Sequence, residues 1–479
     1  MTARELDAVF VADVLAGRLR EQRGPGASFT RAVIDSRRAG PGDLFVGLPG
    51  ERADGAGFAA DAVRRGATGV LAGALPPGAS TFGSATLFIV DDPLAALQDL
   101  AAAWRNTLSS TEVVGVTGNV GKTTTKLMAA SVLSRRFRVQ ASELNYNNEI
   151  GVPLCLLELR PETERAVIEH GMYTTGEIAL LCTWTRPRVG IVLNVGPVHL
   201  ERAGSLDAIA RAKRELVEAL PPDGHALLNI DDPVVAAMSG HTAAAVTRFG
   251  VGEDADVRGA DLEPLGADGF AFTLHARGEQ QRVRVPLPGA HLLPNVLAAA
   301  AAGLVEDMPL DEVCAALDAL DVPLRLTVRE LPGSITLLDD TYNASPAATL
   351  AALDLLAEMP GRKLALLGDM LELGDLAESS HDEVGRRAAG VTDVLFTVGD
   401  LASRISRAAA GCGLAKVEHV DSKEAAARAL LAALRPGDAL LVKGSRALAL
   451  ETVVADVESQ LAARASGASR ADAAGEAGP

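Results

Sequence analysis

Short apolar runs alternate with helical patterns through the middle of the chain. Five of these runs predict strands, at 113–116, 139–142, 166–169, 190–194 and 226–230. Apolar residues at helical spacing predict helices over 122–134, 176–184 and 206–219. This alternation predicts a mostly parallel sheet with helices on both faces. Ligands collect at the carboxyl ends of such strands, so polar residues there are the first candidates for a functional site.

The same alternation extends to both ends of the chain. Residues 1 to about 105 combine short apolar runs, Pro-Gly turns and a helix that ends at glycine, which predicts a small α/β unit. After residue 322, strands within SITLLDD, KLALLGDM, DVLFTVGD and DALLVKGS alternate with helices over 346–358, 377–389, 423–434 and 450–464. This second alternation predicts another doubly wound sheet.

A phosphate-binding pattern occupies 112–126, with the sequence EVVGVTGNVGKTTTK. A valine-rich strand leads into a loop bounded by Gly118 and Gly121, and Lys122 starts a helix. In such a loop the backbone N–H groups and the helix N-terminus attract phosphate, Lys122 reaches the β- and γ-phosphates, and the Thr123 hydroxyl can bind Mg²⁺. The glycine that would open the common G-x-x-x-x-G-K-[ST] form lies at 115 and position 116 is Val, so the spacing departs from that form by one residue. A turn without a ligand would not need Gly-Lys-Thr in this order, so the pattern favours nucleotide binding.

We therefore predict an α/β protein of three domains. They are a small N-terminal α/β domain at 1–107, a central P-loop parallel-sheet ATPase domain at 108–321 and a C-terminal doubly wound α/β domain at 322–464. The length of 479 residues agrees with several separate cores. The last stretch, 465–479, is rich in Ala, Gly and Ser without apolar periodicity, which predicts a disordered tail.

Charge and composition exclude several classes of function. A formal net charge of −17 disfavours nucleic-acid binding, because neutralising phosphates needs clustered Lys and Arg. The four cysteines lack C-x-x-C spacing, which disfavours a zinc site or a disulfide framework. The first residues lack the order of a signal peptide, and apolar runs stay below about 18 residues. We expect a cytoplasmic protein without membrane insertion or a nucleic-acid partner.

Polar residues follow several predicted strands of the central domain. Glu169 follows the apolar run AVI, His199 comes soon after IVLN, and Asn147 and Asn148 precede the run GVPLCLLEL. Taken singly, a strand-end carboxylate is more often solvated than bound to metal, and a lone histidine is more often a hydrogen-bonded loop residue. Together, behind a phosphate loop, these residues favour Mg²⁺ and nucleotide binding.

The outer domains have polar strand ends too. Ser36 and Arg37 follow an apolar run of the N-terminal domain, although such an arginine is more often a solvated surface charge. Asp339 and Asp340 end one strand of the C-terminal domain, and the segment 443–446 ends another. These groups would face a cleft between domains.

Seven blocks in order resemble the ATP-dependent Mur ligases of bacterial cell-wall synthesis. The family's phosphate loop is usually TGSNGKTTTK, and here it is TGNVGKTTTK. The other blocks are NYNNEIGVPL, NVGPVHLERAGS, ARAKREL, GAHLLPNVLAAAA, LLDDTYNASPAA and LLGDMLELGDLAESSHDEVG. The likeness extends over nearly the whole chain. It implies a domain for a UDP-sugar, a central ATPase and a C-terminal domain that closes over both.

The resemblance also implies residue roles. The loop residues implied to hold the ATP phosphates are Thr117, Gly118, Asn119, Val120, Gly121, Lys122, Thr123 and Thr124. The residues implied to hold Mg²⁺ are Thr123, Glu169, His199 and Lys213. The nucleotide contacts implied outside the loop are Asn295, Arg325 and Asp339 or Asp340. The residues implied to act in the chemistry are Lys122, Lys213, His199 and Arg325, and those near the other substrates are Ser36, Arg37, Asn147, Asn148 and Asn343.

Lys213 has two readings. From the residues alone it is a surface lysine on a helix whose apolar side is formed by other positions. The resemblance matches it to a lysine that several members carry as a carbamate. A partly buried lysine would favour the carbamate, because a depressed pKa supplies the neutral amine that adds CO₂.

Within the family, the chain resembles the branch that adds a dipeptide. This branch joins D-alanyl-D-alanine to UDP-N-acetylmuramoyl-tripeptide through an acyl phosphate, using ATP and Mg²⁺, in peptidoglycan precursor synthesis. The block GDMLELG is typical of it, and the D-N-P-[RK] signature of the sibling that adds one diamino acid is missing. The alternatives are that sibling and a P-loop regulatory module. We expect a monomer, and the third residue of the peptide, diaminopimelate or lysine, stays open.

Several positions depart from the family pattern. Asn119 and Val120 replace the usual Ser and Asn of the loop, His170 replaces a Met or Leu, and Leu324 stands where Gly usually precedes Arg325. These departures concern positioning at the γ-phosphate and uridine ends. The loop lysine and the matched metal ligands are retained.

Overall fold

The computed structural model describes residues 5–50, 53–76, 82–83, 85–143, 145–196 and 204–475, with side chains up to 464. The strands in these ranges form three sheets, which follow one another along the chain. This arrangement confirms the predicted three-domain α/β class. The residue bounds of the domains stay predictions.

The N-terminal sheet has the strand order β1-β5-β4-β3-β2. Its strands are β1 Leu19–Arg23, β2 Arg31–Val33, β3 Asp43–Gly47, β4 Gly69–Ala72 and β5 Thr86–Val90. Helices α1 Ala8–Val14, α2 Ala59–Arg64 and α3 Pro93–Thr107 accompany it. Strands β2 to β5 are parallel and β1 is antiparallel to β5.

The central sheet has the order β14-β13-β12-β11-β10-β9-β6-β8-β7. Its strands are β6 Glu112–Thr117, β7 Val139–Ala141, β8 Arg165–Glu169, β9 Val189–Val192, β10 His225–Asn229, β11 Ala245–Gly250, β12 Val257–Pro264, β13 Phe270–Ala276 and β14 Glu279–Val285. The helices are α4 Lys122–Leu133, α5 Gly151–Glu158, α6 Glu177–Thr185, α7 Leu206–Glu218, α8 Pro233–Ala236, α9 Leu293–Val305 and α10 Leu310–Asp318. Strands β6 to β12 are parallel, and β13 and β14 add an antiparallel edge.

The C-terminal sheet has the order β15-β16-β20-β17-β18-β19 and is parallel apart from β15. Its strands are β15 Thr327–Leu331, β16 Ile335–Asp340, β17 Lys363–Gly368, β18 Val394–Val398, β19 Val417–Val420 and β20 Ala439–Lys443. The helices are α11 Pro346–Glu358, α12 Ala377–Ala389, α13 Ala402–Gly411, α14 Lys423–Ala433 and α15 Glu451–Gly475. Helix α15 therefore runs into the segment 465–479 for which the sequence predicts disorder. None of the helices in the described ranges is long and apolar enough to cross a membrane.

The sequence pattern located β6 to β10 and the helices α4, α6 and α7 to within a few residues. It did not identify β11 to β14. Strand β14 buries only Val283 and Val285 of its seven residues, and the outer half of β12 is exposed. Strands that are mostly polar carry little apolar contrast, so their alternation is weak in the sequence.

Two packing features position the site. Helix α7 lies so close to β6 that a Cβ at Gly115 would come within 2.9 Å of Leu216 Cδ1. Helix α9 packs along α4 with eleven of its thirteen residues buried, which brings its N-terminal turn beside the loop after β6. Helix α7 therefore packs directly on β6, and the N-terminal turn of α9 reaches the carboxyl edge of the central sheet.

A buried arginine connects α3 of the N-terminal domain to the central sheet. Arg105 donates to the carbonyl oxygens of Thr185 at 3.1 Å, Leu108 at 2.9 Å and Thr111 at 2.9 Å. Beside it, Trp104 Nε1 donates to the Leu159 carbonyl at 3.0 Å. Burial lowers the pKa of the Arg105 guanidinium to about 10. These carbonyl contacts hold the two domains together at the end of α3.

Candidate functional site

The segment between β6 and α4 has the geometry of the predicted phosphate loop. Helix α4 begins at Lys122, and the residue before it, Gly121, has φ of +88°. This left-handed backbone favours glycine, and a Cβ at Gly121 would lie 2.3 Å from Asn295 Nδ2. The N-terminus of α4 therefore points its free N–H groups into the loop without a side chain in the way.

Lys122 folds back over this loop. Its Nζ donates to the carbonyl oxygens of Gly118 at 2.8 Å and Asn119 at 3.2 Å. The side chain is half-buried, and burial lowers the pKa of the ammonium while the nearby Glu169 carboxylate raises it. The ammonium is thus held at the mouth of the loop, where phosphate oxygens would replace the two carbonyls.

Strand pairing brings Glu169 to the same edge. Val116 of β6 pairs with Glu169 of β8, so the carboxylate ends its strand beside the loop. Glu169 is 1% exposed and accepts hydrogen bonds from Thr123 Oγ1 and Asn147 Nδ2, both at 2.8 Å. The structure therefore joins three predicted residues, Thr123, Glu169 and Asn147, in one cluster of oxygen-bearing groups.

This cluster suits Mg²⁺ by its chemistry. A hydroxyl and a carboxylate are hard oxygen donors, and Mg²⁺ is usually held by one or two carboxylates with phosphate oxygens and waters completing its shell. The described ranges contain no group of three or more His, Cys, Asp or Glu side chains that could hold a metal ion. A site built on Glu169 would therefore depend on the nucleotide for further ligands.

Lys213 is buried on α7, with 2% of its surface exposed. Burial lowers the pKa of its amine well below the ordinary value, and the positive charge of Lys122 lowers it further. Helix α7 is fixed on α6 by Glu215, which accepts from the N–H groups of Gly176 at 2.6 Å and Ala179 at 2.9 Å. The surface-lysine reading is wrong, because the side chain faces inward toward Lys122.

His199 lies outside the described residues, so its predicted role stays a prediction. His170, the residue after Glu169, is fully buried, with Nδ1 3.1 Å from the Ile168 carbonyl and Nε2 3.0 Å from Thr185 Oγ1. Burial lowers the pKa of His170 to about 4. This departure from the family pattern fills the core beneath Glu169.

A cavity of about 360 Å³ opens between the phosphate loop and the C-terminal domain. The loop contributes residues 119–124, and the C-terminal side contributes Arg325, Tyr342 and Lys443. The Arg325 guanidinium lies 4.5 Å from the centre of the Tyr342 ring. The predicted cleft between domains is therefore present and lined by both.

The two neighbouring aspartates at the end of β16 point to opposite faces. Asp340 lines the cavity and accepts from Lys443 Nζ at 2.5 Å in a buried ion pair. Asp339 instead pairs with Arg329 at 3.1 Å and accepts from Thr341 Oγ1 at 2.8 Å. Successive side chains alternate across a strand, so only one of the pair can face the cavity, and here it is Asp340.

Asn295 and Asn343 both line this cavity and both are engaged within the protein. Asn295 Nδ2 donates to Thr125 Oγ1 at 2.8 Å and to the Gly121 carbonyl at 3.2 Å. The backbone carbonyl of Asn343 accepts from Lys443 Nζ at 2.8 Å. Asn295 therefore braces the loop with its two amide hydrogens.

A second cavity of about 340 Å³ lies on the other side of Lys122. Its lining includes Ile34 of the N-terminal domain, Asn147 and Asn148 from the loop before α5, and Tyr173. Lys122 lines both cavities. The ammonium is thus the boundary between a space reached by the C-terminal domain and one reached by the N-terminal domain.

Ser36 and Arg37 lie away from both cavities. Ser36 Oγ donates to Asp61 Oδ2 at 2.9 Å, and Arg37 pairs with Asp35 at 2.7 Å with 81% of its side chain exposed. The structure does not bring these two predicted residues to the loop. Arg38 instead contacts the central domain, donating to Glu143 and Tyr146 at 2.7 Å.

Two residues near the loop were not predicted from the sequence. Lys126 is buried on α4, where its Nζ donates to the Ser142 carbonyl at 2.5 Å, and Asn194 lines the cavity of about 360 Å³. Lys126 follows the run of threonines in the loop motif. A second lysine, one helical turn beyond Lys122, was the feature of the sequence that could have identified it. Asn194 ends a predicted strand, and its position alone did not distinguish it from other strand ends.

Comparisons with known proteins match two families. Residues 116–303 match the family described as the Mur ligase middle domain, and residues 324–446 match the Mur ligase, glutamate ligase domain. A UDP-N-acetylmuramoyl-tripeptide–D-alanyl-D-alanine ligase of Mycobacterium tuberculosis is 36% identical over 497 residues, covering 94% of this chain and 97% of the relative. The ligase of the same description from Escherichia coli is 38% identical, covering 92% of this chain and 96% of the relative.

Solved structures give the same result. The crystal structure of MurF from Acinetobacter baumannii superimposes with a TM-score of 0.83 at 31% identity, covering 96% of this chain and 100% of that one. A MurF ligase from Thermotoga maritima in complex with ADP has a TM-score of 0.77 at 30% identity, covering 91% and 98%. Similarity therefore extends through all three sheets.

Proposed function

The chain belongs to the Mur ligase family, and on this premise we propose that it joins D-alanyl-D-alanine to UDP-N-acetylmuramoyl-tripeptide with ATP. The full-length relatives carry this activity in their names. A neighbouring MurF structure holds ADP, which supports a nucleotide substrate. The product is a precursor of peptidoglycan.

The observation that carries the proposal is the placement of Lys122 between two cavities. A ligase of this kind must bring the γ-phosphate of a nucleotide to the carboxylate of a second substrate. One ammonium that borders both spaces can contact the phosphoryl group before and after its transfer. The nucleotide would lie on the side of Arg325 and Asp340, and the peptide on the side of Asn147 and Asn148.

The chemistry has two steps. A carboxylate oxygen of the peptide attacks the γ-phosphorus, the bond to the β-γ bridging oxygen breaks, and ADP leaves. The amine of the dipeptide then attacks the acyl carbon to give a tetrahedral intermediate, which loses phosphate while the nitrogen loses a proton. The protein supplies positioning and charge neutralisation, mainly through Lys122 and the loop N–H groups.

We propose roles for the residues around the nucleotide. Arg325 would contact the transferring phosphoryl group from the C-terminal side, since it already reaches Thr123 of the loop. Asp340 and the side-chain oxygen of Asn295 would contact the nucleoside. Asn343 lies close to Lys443 and would position the end of the dipeptide.

Mg²⁺ belongs to the proposal. Thr123 and Glu169 would hold it, with His199 and a carbamate on Lys213 as further predicted ligands. When bound, the ion would neutralise charge on the phosphate oxygens. The buried, low-pKa amine of Lys213 supports carbamate formation, because the neutral form is the one that adds CO₂.

The test offers the enzyme two acyl donors and four amines, with product masses as the readout. The donors are UDP-muramoyl dipeptide and tripeptide. The amines are D-alanyl-D-alanine, D-alanine, L-lysine and meso-diaminopimelate. We expect product only from tripeptide and D-alanyl-D-alanine. A pocket built for a dipeptide leaves polar groups unpaired around a single amino acid, at about 1–3 kcal/mol for each group.

Product from the dipeptide donor and one diamino acid would instead identify the sibling activity. A rate of ATP hydrolysis that does not change with any acyl donor or amine would favour the P-loop regulatory module. Tripeptides ending in lysine or diaminopimelate, compared by kcat/KM, would settle the third residue. We also propose a monomer in the cytoplasm, where the nucleotide substrates are found, and sedimentation would test the oligomeric state.

A further inference from the structure

The carboxamide of Asn194 forms hydrogen bonds to the tip of the phosphate loop, which consists of Asn119 and Val120. Asn194 lies two residues after β9, and its Oδ1 accepts from the backbone N–H groups of Asn119 and Val120, both at 2.9 Å. Its Nδ2 donates to the carbonyl oxygen of Val120 at 3.0 Å. One side chain thus makes three hydrogen bonds to two consecutive residues of the loop.

The loop also forms hydrogen bonds to the segment after β9 through Asn119. Asn119 Oδ1 accepts from the N–H of Gly196 at 2.9 Å, and the Asn119 N–H also lies 3.2 Å from the Asn194 carbonyl oxygen. The two segments are therefore tied in both directions. Both tip residues sit between Gly118 and Gly121, where the backbone is outside any helix or strand and glycine gives it conformational freedom.

We propose that Asn194 is a positioning residue that holds the phosphate loop in its nucleotide-binding shape. The inference rests on the proposed nucleotide site. It assigns Asn194 no contact with the reacting atoms. Its contribution is to fix the loop tip on the end of β9 before nucleotide arrives, so that less ordering free energy is needed on binding.

The chemistry of an asparagine suits this position. A neutral carboxamide can both accept from N–H groups and donate to a carbonyl, and it adds no negative charge beside phosphate. The loop has Asn119 and Val120 where the family usually has Ser and Asn. The Asn119 side chain is used for the bond to Gly196, so Asn194 holds the tip from the opposite side.

Asn229 provides a matched control for a merely structural role. It is the last residue of β10, the strand beside β9, and its Nδ2 donates to the Leu193 carbonyl at 2.9 Å while its Oδ1 accepts from the Asp231 N–H at 3.1 Å. Asn229→Ala therefore loosens the end of β9 through a neighbouring bond and leaves the loop contacts in place.

The experiment compares wild type, Asn194→Ala and Asn229→Ala in three measurements. They are ADP affinity by titration calorimetry, KM for ATP against kcat, and hydrogen exchange of the peptide that contains 118–121. For Asn194→Ala we expect ADP affinity to fall and KM for ATP to rise by about 10-fold, with faster exchange of the loop in the free protein. Saturating ADP should restore most of its protection. For Asn229→Ala we expect a lower Tm with ADP affinity and loop exchange close to wild type.

Two results would overturn the inference. The first is wild-type ADP affinity and loop exchange in Asn194→Ala. The second is an equal fall in ADP affinity together with equally fast loop exchange in Asn229→Ala, which would mean that any loosening of this strand end has the same effect. If wild type itself bound neither ADP nor ATP, the proposed function would fail together with this inference. Exchange data remain informative even for a variant with a reduced Tm, because they are read in the folded protein.

Discussion

Arg325 Nη2 donates a hydrogen bond to Thr123 Oγ1 at 3.1 Å, although 202 positions separate the two residues. Thr123 in turn donates to Glu169 at 2.8 Å. A side chain just before the C-terminal sheet is therefore linked through one hydroxyl to the carboxylate at the end of β8. This contact joins the last domain to the phosphate loop, so Arg325 lies where it could reach a nucleotide bound there.

Replacing Arg325 should reduce catalysis with little effect on folding. We expect Arg325→Ala to lower kcat by about 10²-fold, because a positive charge aimed at the phosphoryl group is lost. Arg325→Lys should recover part of kcat, since it keeps the charge without the forked geometry. Arg329→Ala is the matched control, because Arg329 pairs with Asp339 on the other face of β16. Equal losses in the Arg325 and Arg329 variants would count against a role at the nucleotide.

Lys122 should be indispensable for activity. We expect Lys122→Ala to lower kcat by at least about 10²-fold while the far-ultraviolet circular dichroism and Tm stay close to wild type. The side chain is half-buried and bonded to loop carbonyls, so its removal disturbs no apolar core. Lys416→Ala, at an exposed lysine, serves as the control. An active Lys122→Ala enzyme would remove the basis for the phosphate-loop assignment.

Lys213 should depend on CO₂ for its function. We expect Lys213→Ala and Lys213→Arg to lose activity by about 10²-fold, since neither side chain can form the carbamate anion. Wild type depleted of CO₂ should regain activity on addition of bicarbonate, and ¹³C-bicarbonate should give a carbamate resonance that is missing from both variants. Normal activity in Lys213→Ala, together with no response of wild type to bicarbonate, would rule the carbamate out.

Arg105 should matter for stability and not for chemistry. Arg105→Met would leave the carbonyl groups of Thr185 and Thr111 without this donor, while the Leu108 carbonyl keeps the Thr111 N–H at 3.2 Å. We expect the free energy of unfolding to fall by about 3 kcal/mol. Urea unfolding measures this change. Asn106→Ala, at the exposed neighbouring position, should stay within about 0.5 kcal/mol of wild type. A similar stability for both variants would mean that water replaces the guanidinium at little cost.

The four cysteines should differ sharply in reactivity. Cys155, Cys182 and Cys314 are buried, and burial raises the pKa of each thiol to about 12, whereas Cys412 is exposed. The thiolate is the reactive form, so a thiol reagent at pH 8 should modify one cysteine quickly and the rest only after unfolding. Cys412→Ser should abolish the fast phase. Two or more fast-reacting thiols in native wild type would show that a buried position opens.

The sequence by itself determined the features that lie within one continuous stretch. The strand, the two glycines, Lys122 and Thr123 occur in fifteen consecutive residues, and their backbone geometry follows from local chemistry. The alternation of apolar runs and helices likewise placed Glu169 at the carboxyl end of a strand. Parallel strands share that edge, so its meeting with the loop followed without knowledge of the sheet order beyond β6 and β8.

Tertiary structure alone decided which distant groups meet. The burial of Lys213 depends on how closely α7 approaches Gly115, and the choice of Asp340 over Asp339 depends on which face of β16 lines the cavity. The contact of Asn194 with the loop depends on β9 lying directly beside β6. Neighbours in a sheet are chosen by packing across the whole domain, whereas periodicity records only whether a position is buried. The local sequence therefore determines which positions are buried, but it does not determine which distant residue each buried side chain contacts.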